Sequence, residues 1–481
     1  MNGTNGTNGT NGTDSTDSTN GTNGTNSTNP SNRTLLLVGG LEEHLRKAKA
    51  LGLKVILLQH PTKYTAAQEE LADLTVQVDY TDWDEAKAVV EEVRETADFS
   101  AVVSLTEAGV DTAARLNDLY GLGGTGHEVT ARIRDKWAMR RHMARIDPAA
   151  VGAALLEARE DLDGFGERYG YPFVVKPTDA TASFGVFRVE GREDAERVWA
   201  EVERLRGRRT DRGTTLYTIQ EFLMEEYVDG PEFSVESFSF AGRHVIVAIT
   251  EKFVDESNFT ELGHALPARL DDHEADAVRA CVAGFLDAVG LTDGTCHTEV
   301  RVGRRGPAVI ESHNRPGGDA IPDLVRGAYG IDLATLALGW PFGLVEELPD
   351  RPLPERGAST RFLVGGPGTV ASVEIDEDLQ ERDDVLVAKV TARPGDTVRP
   401  LQDNWDRLGL VAVTAPDTTA AIESGARLIE SAVRVRIAQG PTAPSLAHVA
   451  PVTSLAHVAP VTSLAHVAPV TDRTRALEST R

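Results

Sequence analysis

Two carboxylates in neighbouring apolar stretches carry the strongest chemical signal in this chain. Glu299 sits in HTEVRV and Glu311 in AVIESHNRPGG, with GRRGP between them as a turn. Antiparallel strands joined by such a turn can bring both side chains to one face, about 5 Å apart at their Cβ atoms. Carboxylates that face each other in an interior repel unless a cation lies between them. Mg2+ suits that place, because it takes a few carboxylates and completes its shell with phosphate oxygens and water. Arg315 follows Glu311 closely and can neutralise charge developing on a transferred phosphoryl group. The plainer reading is that a core strand ends in polar residues because it reaches the surface, so the choice rests on whether the chain also grips phosphate.

Three further stretches bear on that choice. In VVKPTDATASFGV, Lys176 ends an apolar strand, and a loop of small and hydroxyl residues containing Ser183 and Gly185 leads into another strand. Such a hairpin tip can lay backbone N–H groups over phosphates. Lys176 follows Phe173, Val174 and Val175, and a lysine buried among them needs an anion. In EEYVDGPEFSVE, Glu226, Tyr227 and Val228 end one strand and Glu232 opens the next. Backbone at such a strand end can pair with the edge of an adenine, and a carboxylate just beyond can take ribose hydroxyls. His264, in the loop-like ELGHALPA, is a lone histidine. It is either structural or a substrate contact and proton acceptor near neutral pH.

The elements that must hold these residues follow from periodicity. TLLLVGG is a strand ending in a tight turn, LEEHLRKAKALG is a helix, KVILLQH a strand, DWDEAKAVVEEVRETAD a helix and SAVVSLTE a strand. Alternation of this kind predicts a doubly wound α/β domain with a parallel sheet over residues 34–125. EVTARIRDKWAMRRHMARI reads as one helix opening a β-rich region over 126–350. Short strands fill 351–440 as a β-rich closing domain, ended by a helix over TTAAIESGARLIESAVRVRI. The expected fold class is thus α/β followed by α+β.

The two ends read differently. Residues 1–33 are mostly Asn, Gly, Thr and Ser, with nothing apolar to bury, and are expected to be disordered. Each NGT is formally a glycosylation sequon, but no basic start followed by an apolar stretch precedes them. Residues 441–481 carry SLAHVAPVT three times and are expected to be a disordered tail. Its His448, His457 and His466 have no second metal-ligand type beside them.

A formal net charge of -25 argues against nucleic acid and anionic membranes as partners. No apolar run is long enough to span a bilayer. Cys281 and Cys296, the only cysteines, form no zinc spacing and no disulfide framework, so a reducing cytoplasm is the expected setting.

The ordered set of RDK around Lys136, VVKP around Lys176, EYVDGPEFSVE, Glu299 and IESHNRPGG resembles the ATP-grasp enzymes. ESHNRPGGDAIPDLV and FVDESNFTELGHALPA are similar to the L-amino acid ligase branch. The resemblance spans about residues 34–440 and implies an ATP-grasp fold with an N-terminal pre-ATP-grasp domain and a β-rich C-terminal domain. It implies ATP and Mg2+, or Mn2+ in its place, as cofactors, and an amide bond made through an acyl phosphate with release of ADP and phosphate. The partners would be a small-molecule carboxylate and an amine, both amino acids, and a homodimer is compatible. By resemblance, Lys136 and Lys176 hold phosphates, with Ser183 and Gly185 in the loop above them. Glu226, Tyr227 and Val228 meet adenine, Glu232 the ribose, and Arg315 stabilises the acyl phosphate, with His264 near the amino-acid pocket. Glu299, Glu311 and Asn314 hold the metal. Many members carry Asn two residues after the second metal carboxylate; here that place holds His313, and Asn314 follows it. Two rivals are a carboxylase-type or thiol-acylating ATP-grasp enzyme and a nucleotide-binding protein without turnover. No biotin-carrier-like Met-Lys motif occurs, and mere binding does not require Glu299, Glu311 and Arg315 together.

Overall fold

The computed structural model describes residues 33–210, 216–438 and 445–449. The Asn/Gly/Thr-rich start and the repeat histidines His457 and His466 lie outside the described residues.

The N-terminal region is a parallel sheet in the order Leu74–Gln77, Lys54–Gln59, Thr34–Val38 and Ala101–Val103. Leu35, Leu36, Leu37 and Val38 are all fully buried, because helices cover both faces. The strand Leu74–Gln77 was not among the expected elements; a short strand of four partly exposed residues at the sheet edge gives little apolar signal.

A predicted single helix is two. His127–Arg134 ends at Asp135, and Lys136–Ile146 begins there, because the Asp135 carboxylate caps the second helix by accepting from the Ala138 N–H at 2.6 Å. The break turns the Lys136 backbone N–H outward, where it donates to Thr178 O. The C-terminal helix is also shorter than expected. It stops at Ala432, and Val433–Ala438 forms a strand whose alternate residues are buried, as VRVRIA demands at period two.

The centre is an antiparallel sheet in the order Gly306–His313, Gly294–Gly303, Glu232–Phe240, Arg243–Val254, Glu261–Leu266, Gly357–Val364, Gly409–Ala415 and Val385–Val390. The sheet therefore runs straight through residue 350, and strands of the closing region extend it. A smaller sheet made of Ala153–Leu155, Phe222–Glu226, Phe173–Pro177 and Phe187–Val189 stands beside it. Most of the expected site residues lie where these two sheets line a common cleft. One part of the expected C-terminal tail is ordered: Ser445–Leu446 pairs with Val433–Ala438, and His448–Val449 pairs with Gly357–Val364.

Candidate active site

Glu299 and Glu311 are direct register partners on Gly294–Gly303 and Gly306–His313. The register slips immediately after them, so that Val300 pairs with Val309 and Ile310 is the extra residue. Such a bulge bends the strand and re-aims its side chains beside a site. Its unpaired carbonyls are satisfied by Arg140, whose Nη1 donates to Val309 O at 2.7 Å and Nη2 to Ile310 O at 3.0 Å. Arg140 also pairs with Glu225 at 2.7 Å, and Glu225 pairs on its other oxygen with Lys176 at 2.7 Å. Lys176 is 4 % exposed, so the buried lysine does have its anion. That anion is a protein carboxylate, and burial alone does not select phosphate.

Lys136 sits across from it, donating to Ala180 O at 2.6 Å and standing 3.3 Å from Glu311. Between the lysines and the hairpin runs a cleft lined by Ser183, Tyr227, Val228 and Glu232. The loop over it holds Ala182 and Ser183 at φ 62° and 57°, a conformation side chains rarely adopt. It is pinned there by Ser183 Oγ donating to Phe259 O at 2.8 Å and by Asn404 N donating to Ala182 O at 3.3 Å. Gly185 also has positive φ and lies against Pro177. Glu226 has its carboxylate turned back onto the Gly152 N–H at 2.6 Å.

On the other side of the carboxylates opens a chamber of about 510 Å³. The cleft and the chamber share Thr181, Ala182, Glu261, Glu299 and Glu311 as a common rim. Lys252, 5 % exposed, bridges Glu232, Glu261 and Glu299 at 2.8, 3.0 and 2.7 Å. Burial works against its charge, but the three carboxylates outweigh it and hold Lys252 well above its usual range. Burial likewise opposes the charge on Glu311, yet Lys136 and His313 keep it well below the usual carboxylate range. Glu299 is lowered too, with Lys252 outweighing burial and the opposing charge of Glu311.

Arg315 lines the chamber and is gripped by Glu107, Nε to Oε2, at 2.7 Å. Glu107 also meets His313 at 2.8 Å and Arg134 at 3.2 Å. His313 meets Glu311 at 3.0 Å through its other nitrogen, so it links that carboxylate to the arginine's support. Behind them, Glu236 accepts from the Gly317 N–H at 3.1 Å and pairs with His297. A Cβ on Gly317 would come within 2.9 Å of His297 Nδ1, so the Pro-Gly-Gly turn after Arg315 depends on glycine there.

Two expected residues stand elsewhere. Asn314 donates from Nδ2 to Thr130 Oγ1 at 3.0 Å and lines a separate cavity with Thr295 and Trp340. Three residues past Glu311 in extended chain, it falls on the face opposite the carboxylate. His264 is on a strand, not a loop, and is fully buried against Phe362; its Nε2 meets Glu261 at 2.7 Å. It reaches the rim through Glu261. Sequence reasoning missed Glu107, Arg140, Glu225, Lys252 and Glu261. The only advance signal was that buried charges require partners.

The donor set can be tested against a metal. Among the described residues, no group of three or more His, Cys, Asp and Glu is placed to hold an ion. Glu299 and Glu311, register partners on adjacent strands, would offer a divalent cation two carboxylates, with phosphate oxygens and water left to complete its shell.

Known proteins share this architecture. An ATP-grasp N-terminal domain family matches residues 45–124, an ATP-grasp domain family residues 169–323, and an L-amino acid ligase C-terminal domain family residues 361–438. The chain is 28% identical to alanine–anticapsin ligase of Bacillus amyloliquefaciens over 344 residues, 64% of this chain and 72% of that protein. It is 29% identical to human carnosine synthase 1 over 206 residues, covering 42% of this chain and 25% of that protein. An L-amino acid ligase structure from Bacillus licheniformis superposes with a TM-score of 0.72 at 22% identity, covering 85% of this chain and 99% of that one, which establishes the fold. The chain carries ATP-grasp domains together with the C-terminal domain of the L-amino acid ligases, the domain set of ligases that form carbon–nitrogen bonds.

Proposed function

We propose that the protein joins a carboxylate to an amine with ATP, both substrates being amino acids, to give a dipeptide-like amide. The observation that carries this reading is the shared rim. Glu299 and Glu311 border both the cleft of Lys136 and Lys176 and the chamber of Arg315. A terminal phosphate held at the rim from the cleft side faces a carboxylate held in the chamber.

The residues divide the work accordingly. Lys136 and Lys176 hold phosphates, the backbone of Glu226–Val228 meets adenine, and Glu232 takes the ribose. Mg2+ on Glu299 and Glu311 would supply charge neutralisation at the terminal phosphates. A carboxylate oxygen of the first substrate attacks the terminal phosphorus and ADP leaves. Arg315, fixed by Glu107, stabilises the acyl phosphate. The amine nitrogen of the second substrate then attacks the acyl carbon, the carbon–oxygen bond to phosphate breaks, and the amine loses a proton. Glu261 stands at the rim to orient that amine, and His264 fixes Glu261 from behind. We assign this work to the cytoplasm; no described helix is long and apolar enough to cross a membrane.

Incubation with ATP, Mg2+ and pools of amino acids, followed by mass spectrometry, tests the reading. A new mass equal to two amino acids less one water is expected. ATP turnover with no condensed product would overturn it.

A further inference from the structure

SLAHVAPVT stands three times in succession from Ser445 to Thr471, and the ligase chemistry uses none of it. Its first copy is seated on the closing region. Ser445 and Leu446 pair with Ile437 and Arg436, and His448 and Val449 pair with Val364 and Leu363. Between them the Ala447 N–H donates to Val435 O at 2.9 Å. Val449 is 8% exposed and joins the apolar cluster of Leu363, Leu408, Val435 and Ile437. Leu446 is 55% exposed and His448 faces solvent. The groove therefore reads a strand backbone and one valine, which is recognition by strand addition.

The second and third copies repeat those five residues unchanged, as Ser454–Val458 and Ser463–Val467. A groove that reads backbone and one valine has no means of telling the copies apart. We infer that this groove is a docking site for the repeat peptide and that any of the three copies fills it, the chain slipping by whole repeats. The copies differ in the connection back to Ala438. The first needs residues 439–444, the second 439–453 and the third 439–462. Closure entropy grows with the logarithm of loop length, so the second copy is disfavoured about fourfold and the third about eightfold against the first. The first copy is the one seated, as that order requires. Redundancy keeps the groove filled when one copy is lost.

The test is hydrogen exchange of residues 361–365 and 433–438 in the full chain, read by mass spectrometry. Val449→Asp disables the first copy alone. It should lower protection of these strands no more than about fourfold, because the second copy moves in. Val449→Asp with Val458→Asp and Val467→Asp should expose the amides of these strands that face the repeat, while those paired with Gly368–Ile375 and Gly409–Ala415 stay protected. Adding synthetic SLAHVAPVT to the triple variant should restore protection, and a scrambled peptide should not. The inference is overturned if Val449→Asp alone loses as much protection as the triple variant, or if the triple variant loses none. Failure of the peptide to restore protection would also overturn it. Protection in Val449→Asp that rises with protein concentration would assign the groove to a second molecule instead.

Discussion

Leu35, Leu36, Leu37 and Val38 of the N-terminal sheet are fully buried, and all are apolar. In the central sheet Ser234, Glu236, Ser237, Glu251 and Thr298 are buried as deeply. The first sheet is held by apolar surface removed from water. In the second, Lys252 answers three carboxylates, and around it Glu107 answers Arg315, Arg134 and His313 while Glu225 on the smaller sheet answers Lys176 and Arg140. Interior charges of this kind add little net stability, because desolvation offsets attraction. They fix geometry, and removing one leaves its partners buried and unpaired. Truncation should therefore cost stability alone in the first sheet, and chemistry as well in the second.

The sharpest break of that comparison is Glu311→Gln. Shape is kept and one metal-binding charge is lost, so kcat/KM should fall at least about 10³-fold, about 4 kcal/mol. The unfolding midpoint should move little, because loss of the Lys136 pairing is offset by relief of the repulsion from Glu299. Steady-state rates within tenfold of the parent would remove Glu311 from the site.

Lys252→Met probes the same sheet where charge supports charge. It strands Glu232, Glu261 and Glu299, and urea denaturation should show a loss of about 4 kcal/mol together with reduced turnover. A loss below about 1 kcal/mol would mean the three carboxylates are hydrated in the folded protein.

Leu36→Ala is the counterpart in the apolar sheet. Denaturation should register a loss of about 3 kcal/mol, while kcat per folded molecule is unchanged. A selective fall in kcat would couple that sheet to the chemistry more directly than its packing allows.

His44 sharpens the comparison through pH. Burial, then the neighbouring Lys47 charge, push it down to about 4 despite the opposing Asp332. Its folded value lies below the ordinary one of about 6.5, so the unfolded chain takes up the proton first. Stability is complete above that ordinary value and falls as pH drops toward 4, by about 2 kcal/mol at pH 5. His44→Gln should flatten that part of the stability–pH curve; an identical slope would place its source elsewhere.

The smallest effect belongs to the ends. A chain of residues 33–449 should match the full protein in rate. Ending it at 444 removes Val449 from its apolar seat and should cost about 1 kcal/mol, again with no change in rate. Lost activity in either chain would give the ends a chemical part.

The pairing of Glu299 with Glu311 was legible because two short strands and a turn leave few registers. The bulge at Ile310 was not, because it depends on Arg140 reaching its carbonyls from a helix far away in sequence. Asn314 was misplaced for a simpler reason: three residues past Glu311 in extended chain it falls on the opposite face, which alternation at period two already implies. The partners Glu107, Glu225 and Lys252 meet the site across long sequence separations, where pairing is decided by tertiary structure. Other misses were readable. Asp135 before Lys136 is a helix-capping signal, and VRVRIA alternates at period two.

The account stands most directly on which phosphorus is attacked. In the proposed mechanism Lys136, Lys176, Glu299, Glu311 and Arg315 present the terminal one to a carboxylate in the chamber. Chromatography of the spent nucleotide, run alongside amide quantification, decides it. ADP and phosphate should form in equal amounts, in step with amide, and only when both acid and amine are supplied. AMP with pyrophosphate as the main products would contradict the acyl-phosphate route and the role given to Arg315.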